Sequence, residues 1–346
     1  MLLASLGAVG LAACQPLIQR VGAPGLGFNG PRLEPDALVS SDGTRLPLQV
    51  WPAVDSSGAE TRPWAVIIGL HGMNDYSGGF QLPASYWAAK GVTTYAYDQR
   101  GFGRTSDRGV WGGEALMVED LRVTTALVRA RHPGATIAVV GESMGGAVAI
   151  SAFASDTPPA ADRVVLASPA VWGWREQGPP ASAALWLVAH LDPAYRLEAP
   201  NWLARRIFAS DNLDELRRMG RDRNMIFATR VDTVYGLVGL MEQAQDKIGR
   251  VRTPMLYQYG AHDEIIPKPA AFRAVRKLRP KDRSAYYATG WHLLLRDKGR
   301  QRVLDDILAY IRNPNGPLPS GAPAIPATSR LSARPGGEAK SAVQAG

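Results

Sequence analysis

The chain of 346 residues contains one cysteine, Cys14. A single thiol forms no internal disulfide framework and supplies no cysteine-based zinc site. Histidine is almost as scarce, with five copies, so an imidazole role can be sought by elimination. Charged side chains make up only 20% and aromatic ones 8%, against 46% hydrophobic residues, the balance of a globular protein with a large core. The formal charge is +8, but it comes mostly from scattered arginines, with no basic cluster interleaved with aromatics. That pattern points away from nucleic acid and towards a solvated surface with mild attraction to anionic membranes. No metal-ligand or cofactor motif stands out, and none is expected.

Residues 1–13 are small or apolar and carry no charged side chain. The run is too short for a permanent bilayer span and suits the apolar segment of a signal peptide. It closes in Leu11-Ala12-Ala13-Cys14, which resembles the bacterial lipobox, although no lysine or arginine precedes Cys14. That resemblance implies lipidation at Cys14, and Gln15 implies sorting to the periplasmic face of the outer membrane. The other reading is an accidental match and a cytoplasmic protein. Residues 14–35, rich in glycine and proline, read as a linker.

From residue 36 the pattern is that of an α/β domain. Apolar runs at 65–70, 92–97, 137–141, 163–167, 255–259 and 284–288 are near-continuous, as central parallel strands covered on both faces must be. A strand, turn and strand precede them at 37–51. Helical periodicity fills the gaps around 83–90, 113–131, 144–155, 268–278 and 299–312. The alternation predicts a doubly wound, mostly parallel eight-stranded sheet. It is interrupted between Pro169 and Arg252, where helical patterns take over. From Asn313 to 346 proline, glycine, alanine and serine predominate, which predicts a disordered tail.

Within that frame, Ile137-Ala138-Val139-Val140 runs into Gly141-Glu142-Ser143-Met144-Gly145, and a small-residue helical stretch follows. G-x-S-x-G between strand and helix is the context of a nucleophile elbow, with Ser143 exposed on a tight turn. A serine hydroxyl needs a base. His132 lies in a helix-ending turn, His190 in a helix outside the sheet, and His71 on the loop after an early strand. His262 immediately precedes an acid. His292, in Gly290-Trp291-His292, follows the last strand and can reach the sheet's C-terminal edge, so it is the expected base. The loop after residue 259 supplies the acid that orients it: Asp263, with Glu264 as the alternative.

These motifs, with His71-Gly72-Met73-Asn74-Asp75 and Tyr97-Asp98-Gln99-Arg100-Gly101-Phe102-Gly103, make residues 36–312 resemble an α/β-hydrolase of the monoacylglycerol lipase and lysophospholipase branch, which includes serine aminopeptidase-type members. The resemblance implies an oxyanion hole from the backbone N–H groups of Met73 and Met144. It also implies structural roles for His71, Asp98, Arg100 and Glu142, and a helical cap at about 171–250. Trp172, Trp174, Trp186 and Trp202 fall in that cap. Its apolar stretches either pack on the body or contact an acyl chain or membrane. The expected activity is ester hydrolysis on a single-chain acyl lipid through Ser143. The alternatives are an aminopeptidase of the same fold and a non-catalytic cell-envelope scaffold.

Overall fold

The computed structural model describes residues 15–198 and 206–326. Cys14, the leader before it, Trp202 and the chain beyond 326 lie outside the described residues. Among the described residues the main sheet has nine strands. In chain order they are β1 (Arg32–Leu33), β2 (Ala37–Val39), β3 (Arg45–Trp51), β4 (Ala65–Leu70), β5 (Val92–Tyr97), β6 (Thr136–Glu142), β7 (Arg163–Ala167), β10 (Met255–Gly260) and β11 (Arg283–Tyr287). Their spatial order is β1-β2-β3-β5-β4-β6-β7-β10-β11. The first pairings, through β3 with β5, are antiparallel, and all later ones are parallel. The expected α/β-hydrolase fold is therefore present, with the two-residue β1 as an additional edge strand.

Every residue of β4, β5 and β10 is buried, because helices cover both faces and leave no polar side to the strands. On one face Trp87 of α1 (Gln81–Ala88) packs with Val303, Leu304 and Ile307 of α9 (Arg300–Arg312) over Ile67, Val140 and Val165. The other face carries α2 (Glu114–Arg131), α3 (Met144–Phe153) and α8 (Lys268–Val275). All ten residues of α3 are buried. Its small side chains let it lie between the sheet and the long cap helix α7 (Val231–Lys247).

The cap also holds α4 (Trp174–Gln177), α5 (Pro179–Leu191) and α6 (Leu213–Met219). It is not purely helical. Strand β8 (Arg196–Glu198) pairs antiparallel with β9 (Ala228–Arg230), just before α7.

Two sequence expectations need correction. The tail does not leave the domain at Asn313. Its composition denies it regular structure, but Leu318 and Ile325 are buried apolar anchors. Ser320 binds Asp306 through its N–H at 2.9 Å and its hydroxyl at 2.5 Å, and Tyr286 N–H donates to Pro323 O at 2.8 Å. Residues 313–326 thus cover the edge strand β11. Nor is the whole of 15–35 a free linker. Gln19 donates to Trp111 O and Val110 O at 2.9 and 2.8 Å, and Gly22 N–H donates to Asp42 at 2.9 Å.

Candidate active site

The site is assembled at the C-terminal ends of adjacent parallel strands, where a doubly wound sheet leaves its ligand crevice. Ser143 follows β6 directly and caps α3, with φ +53° and ψ −116°. For a residue with a Cβ this conformation is strained, and surrounding bonds hold it. Ser143 N–H donates to Ala167 O at 3.0 Å, while its carbonyl accepts from Gly146 and Ala170 at 2.9 Å. Glycine is required alongside. A Cβ on Gly145 would lie 2.1 Å from Leu70 O, and one on Gly141 would lie 2.5 Å from Gly145 O. Met144 opens the helix, so its N–H is among the first-turn donors without an intrahelical acceptor.

The loop after β4 lies against this elbow. A Cβ on Gly72 would come within 3.3 Å of the Ser143 Cβ, which puts Gly72 and its neighbour Met73 beside the serine. His71 is buried. Its Nδ1 donates to Gly72 O at 2.8 Å, and its Nε2 accepts from Gln99 N–H at 2.9 Å. Burial keeps its pKa below the ordinary imidazole value, so this histidine is neutral and shapes the loop. Asn74 adopts φ +63°. It ties the loop to the cap, donating to Thr229 Oγ1 at 2.7 Å and accepting from Ile226 N–H at 3.0 Å.

Asp263 and His292 come from the loops after β10 and β11, and their side chains meet. His292 Nδ1 lies 2.9 Å from Asp263 Oδ2, and Asp263 Oδ1 accepts from Ile265 and Ile266 N–H, each at 2.9 Å. The two loops are stitched together by His262 N–H to Gly290 O and Ala261 N–H to Tyr287 O, both 2.9 Å. Glu264, the alternative acid, accepts from Phe208 N–H of the cap instead. Burial opposes the imidazolium of His292, but the carboxylates of Asp263 and then Glu142 outweigh it, so its pKa lies above the ordinary value. With Nδ1–H given to Asp263, Nε2 is left as a proton acceptor.

The other histidines have ordinary partners. His132 bonds Tyr95 OH at 2.9 Å, His190 bonds Trp186 O at 2.7 Å, and His262 stacks on Trp291. Arg100 is buried between Asp42 and Asp120, and Asp98 accepts from Ser77 N–H and from Arg104. These ion pairs brace the loop after β5 against the rest of the body.

Sequence reasoning missed Arg296. It is 1% exposed, and its Nη2 lies 2.6 Å from Glu142 and 2.7 Å from Asp75. A signal was available: Glu142 falls at the buried end of an apolar strand and needs a counter-charge, and Leu293-Leu294-Leu295-Arg296-Asp297 places a cation inside an apolar run. Asp297 was missed as well. It accepts from Ser210 Oγ at 2.6 Å and from Trp291 N–H at 2.7 Å, and burial pushes its carboxyl up to about 7.

Comparison with known proteins sets this geometry in context. The profile of the family described as serine aminopeptidase, S33 matches residues 61–299. A monoacylglycerol lipase of Mycolicibacterium smegmatis is 25% identical over 282 residues, which are 78% of this chain and 93% of that enzyme. A monoglyceride lipase of Mus musculus is 24% identical over 295 residues, 83% of this chain and 93% of that one. Among solved structures, a soluble variant of the Saccharomyces cerevisiae monoglyceride lipase in complex with a substrate analog superposes with a TM-score of 0.66 at 16% identity. That match covers 86% of this chain and 98% of the yeast one.

Proposed function

The chain belongs to the serine aminopeptidase, S33 family of hydrolases, and from that premise we propose that it is a serine carboxylic-ester hydrolase. We assign it single-chain acyl lipids, monoacylglycerol or lysophospholipid, as substrates. The observation that carries the reading is the hydrogen-bonded Asp263–His292 pair at the same sheet edge as the strained Ser143 elbow.

In this mechanism Ser143 Oγ attacks the acyl carbonyl while His292 Nε2 takes its proton. The tetrahedral oxyanion is held by the N–H groups of Met73 and Met144, which are fixed before the charge develops. Collapse expels the alcohol, protonated by His292, and leaves an acyl ester on Ser143. Water, deprotonated by the same imidazole, then releases the fatty acid. Asp263 holds the tautomer and stabilises the imidazolium, and no metal or cofactor takes part.

The lipid assignment draws on the relatives' names and on the cap. Trp186, Leu187, Leu191, Tyr195 and Phe227 are 51%, 49%, 67%, 53% and 52% exposed, apolar surface that the body does not use. Most of the cap's carboxylates are already paired with arginines, which weighs against the aminopeptidase, whose substrate ammonium needs a carboxylate to receive it. Glu176, Glu215, Asp222, Asp232, Glu242 and Asp246 are each paired with an arginine. Lipidation of Cys14 at the bacterial outer membrane belongs to the same proposal. Leu17 N–H donates to Asp232 at the start of α7, so an anchor three residues earlier would hold the cap near the bilayer. Cys14→Ser should then move the protein from the membrane to the soluble fraction, and unchanged fractionation would remove the anchor. A fluorophosphonate should label Ser143 alone; labelling at another residue would overturn the nucleophile.

A further inference from the structure

One buried cation ties together three of the four loops that the proposed chemistry uses, those of Met73, Ser143 and His292. Arg296 lies four residues after His292. Its Nη2 pairs with Asp75 at 2.7 Å and Glu142 at 2.6 Å, and its Nη1 lies 3.8 Å from Glu215 of the cap helix α6. Asp75 is two residues beyond Met73, and Glu142 is two residues before Met144. Each proposed oxyanion donor is therefore within two residues of a carboxylate held by the same guanidinium. The two donors belong to separate loops, and a hole that works must fix their separation before reaction.

The cluster also sets charge. Asp75 and Glu142 face one guanidinium, while Glu215 is engaged bidentately by Arg218. The carboxyl of Glu142 is pushed up by burial, against the pull of Arg296. The charged groups acting on His292 are Asp263 from the loop after β10, Glu142 from the elbow, and Arg296 from its own loop. Glu142 favours the imidazolium and Arg296 opposes it.

Resting on the reading of Ser143 as nucleophile, we infer that Arg296 is a positioning residue that locks the Met73 loop, the Ser143 elbow and the His292 loop into one reactive arrangement. Its planar fork matters as well as its charge. Nη2 holds both body carboxylates while Nη1 reaches the cap at Met219 Sδ (3.6 Å) and Glu215 (3.8 Å), a two-sided reach that the single nitrogen of a lysine ammonium cannot reproduce.

Arg296→Lys and Glu142→Gln test this on whichever ester or amino-acid anilide the wild type turns over fastest, alongside fluorophosphonate labelling rates, pH profiles and melting curves. Arg296→Lys should lose roughly 10- to 100-fold in kcat and in labelling rate, the scale of a misplaced oxyanion donor, with KM within about twofold. Glu142→Gln should lose less and move the acid limb of kcat/KM to lower pH, because His292 loses a neighbouring negative charge. An Arg296→Lys kcat within about twofold of wild type would overturn the inference. So would losses that merely track the unfolded fraction, with an unmoved acid limb in Glu142→Gln. If Arg296→Lys does not fold, the labelling rate of folded Glu142→Gln, which removes the elbow's charged partner for Arg296, decides: a rate within about twofold of wild type would overturn the inference. A wild type that prefers anilides would refute the ester reading and leave this test intact. A wild type unreactive at Ser143 would end both.

Discussion

The body and the cap treat apolar residues in opposite ways. In the body, strands β4, β5 and β10 are buried along their whole length, and Ser143, Asp263 and His292 are themselves 9%, 7% and 4% exposed. In the cap helix α5, thirteen residues long and largely apolar, only Ala189 is buried. Packing accounts for the hydrophobicity of the body. It does not account for most of α5: Leu185 packs against the core, but Trp186, Leu187, Val188 and Leu191 stay exposed. The site residues are thus buried in the body while much of α5 faces outward, and Asn74, Arg296, Glu264 and Asp297 are among the contacts that join body and cap.

The comparison breaks most visibly in the body. His292→Ala should reduce turnover to roughly the 10³–10⁴-fold advantage over water that binding and the oxyanion hole supply alone. The melting temperature should hardly change, so kinetics and thermal unfolding on one preparation separate chemistry from folding. An intermediate effect is expected in the cap. Leu191→Asp sits on exposed surface and should alter stability by no more than about 0.5 kcal/mol. It should still lower kcat/KM several-fold for a ten-carbon ester and leave a four-carbon ester unchanged.

The smallest effect concerns pH. In the proposed mechanism the base must be neutral to accept the serine proton, and the pKa of His292 is raised by Asp263 and Glu142 against the effect of burial. Activity should therefore fall, as pH is lowered, at a higher pH than an unperturbed imidazole would give. Asp297 adds a stability term of its own sign. Its folded pKa of about 7 exceeds the ordinary aspartate value of 3.8, so its protonated form stabilises the fold at low pH, and that contribution is lost between about pH 4 and 7. Denaturation midpoints across that range, compared with Asp297→Asn, read it out.

The body was largely legible because its constraints are local. A β-branched run before Gly141, a small-residue run after Gly145 and acid and histidine just past two later strands are visible in the chain itself. What escaped depends on partners distant in sequence. Arg296 acquires its meaning only when Glu142 and Asp75, more than 150 residues earlier, fold against it. The stretch 313–326 looks like a tail by composition, yet two apolar anchors and the open edge of β11 suffice to hold it. The ribbon of β8 with β9 joins three-residue segments about thirty residues apart, too short for any periodicity to register. The apolar pattern of α5 predicted a helix but carried no information on which side would be covered.

The most direct test of the central claim, an ester hydrolase whose body does the chemistry and whose cap selects an acyl chain, is kcat/KM over a series of acyl-chain lengths. It is measured below each ester's micelle threshold beside amino-acid anilides. Each buried methylene contributes about 0.8 kcal/mol, so the constant should rise from four carbons towards ten and then level off. A steady fall beyond four carbons, or faster release from an anilide than from any ester, would contradict it.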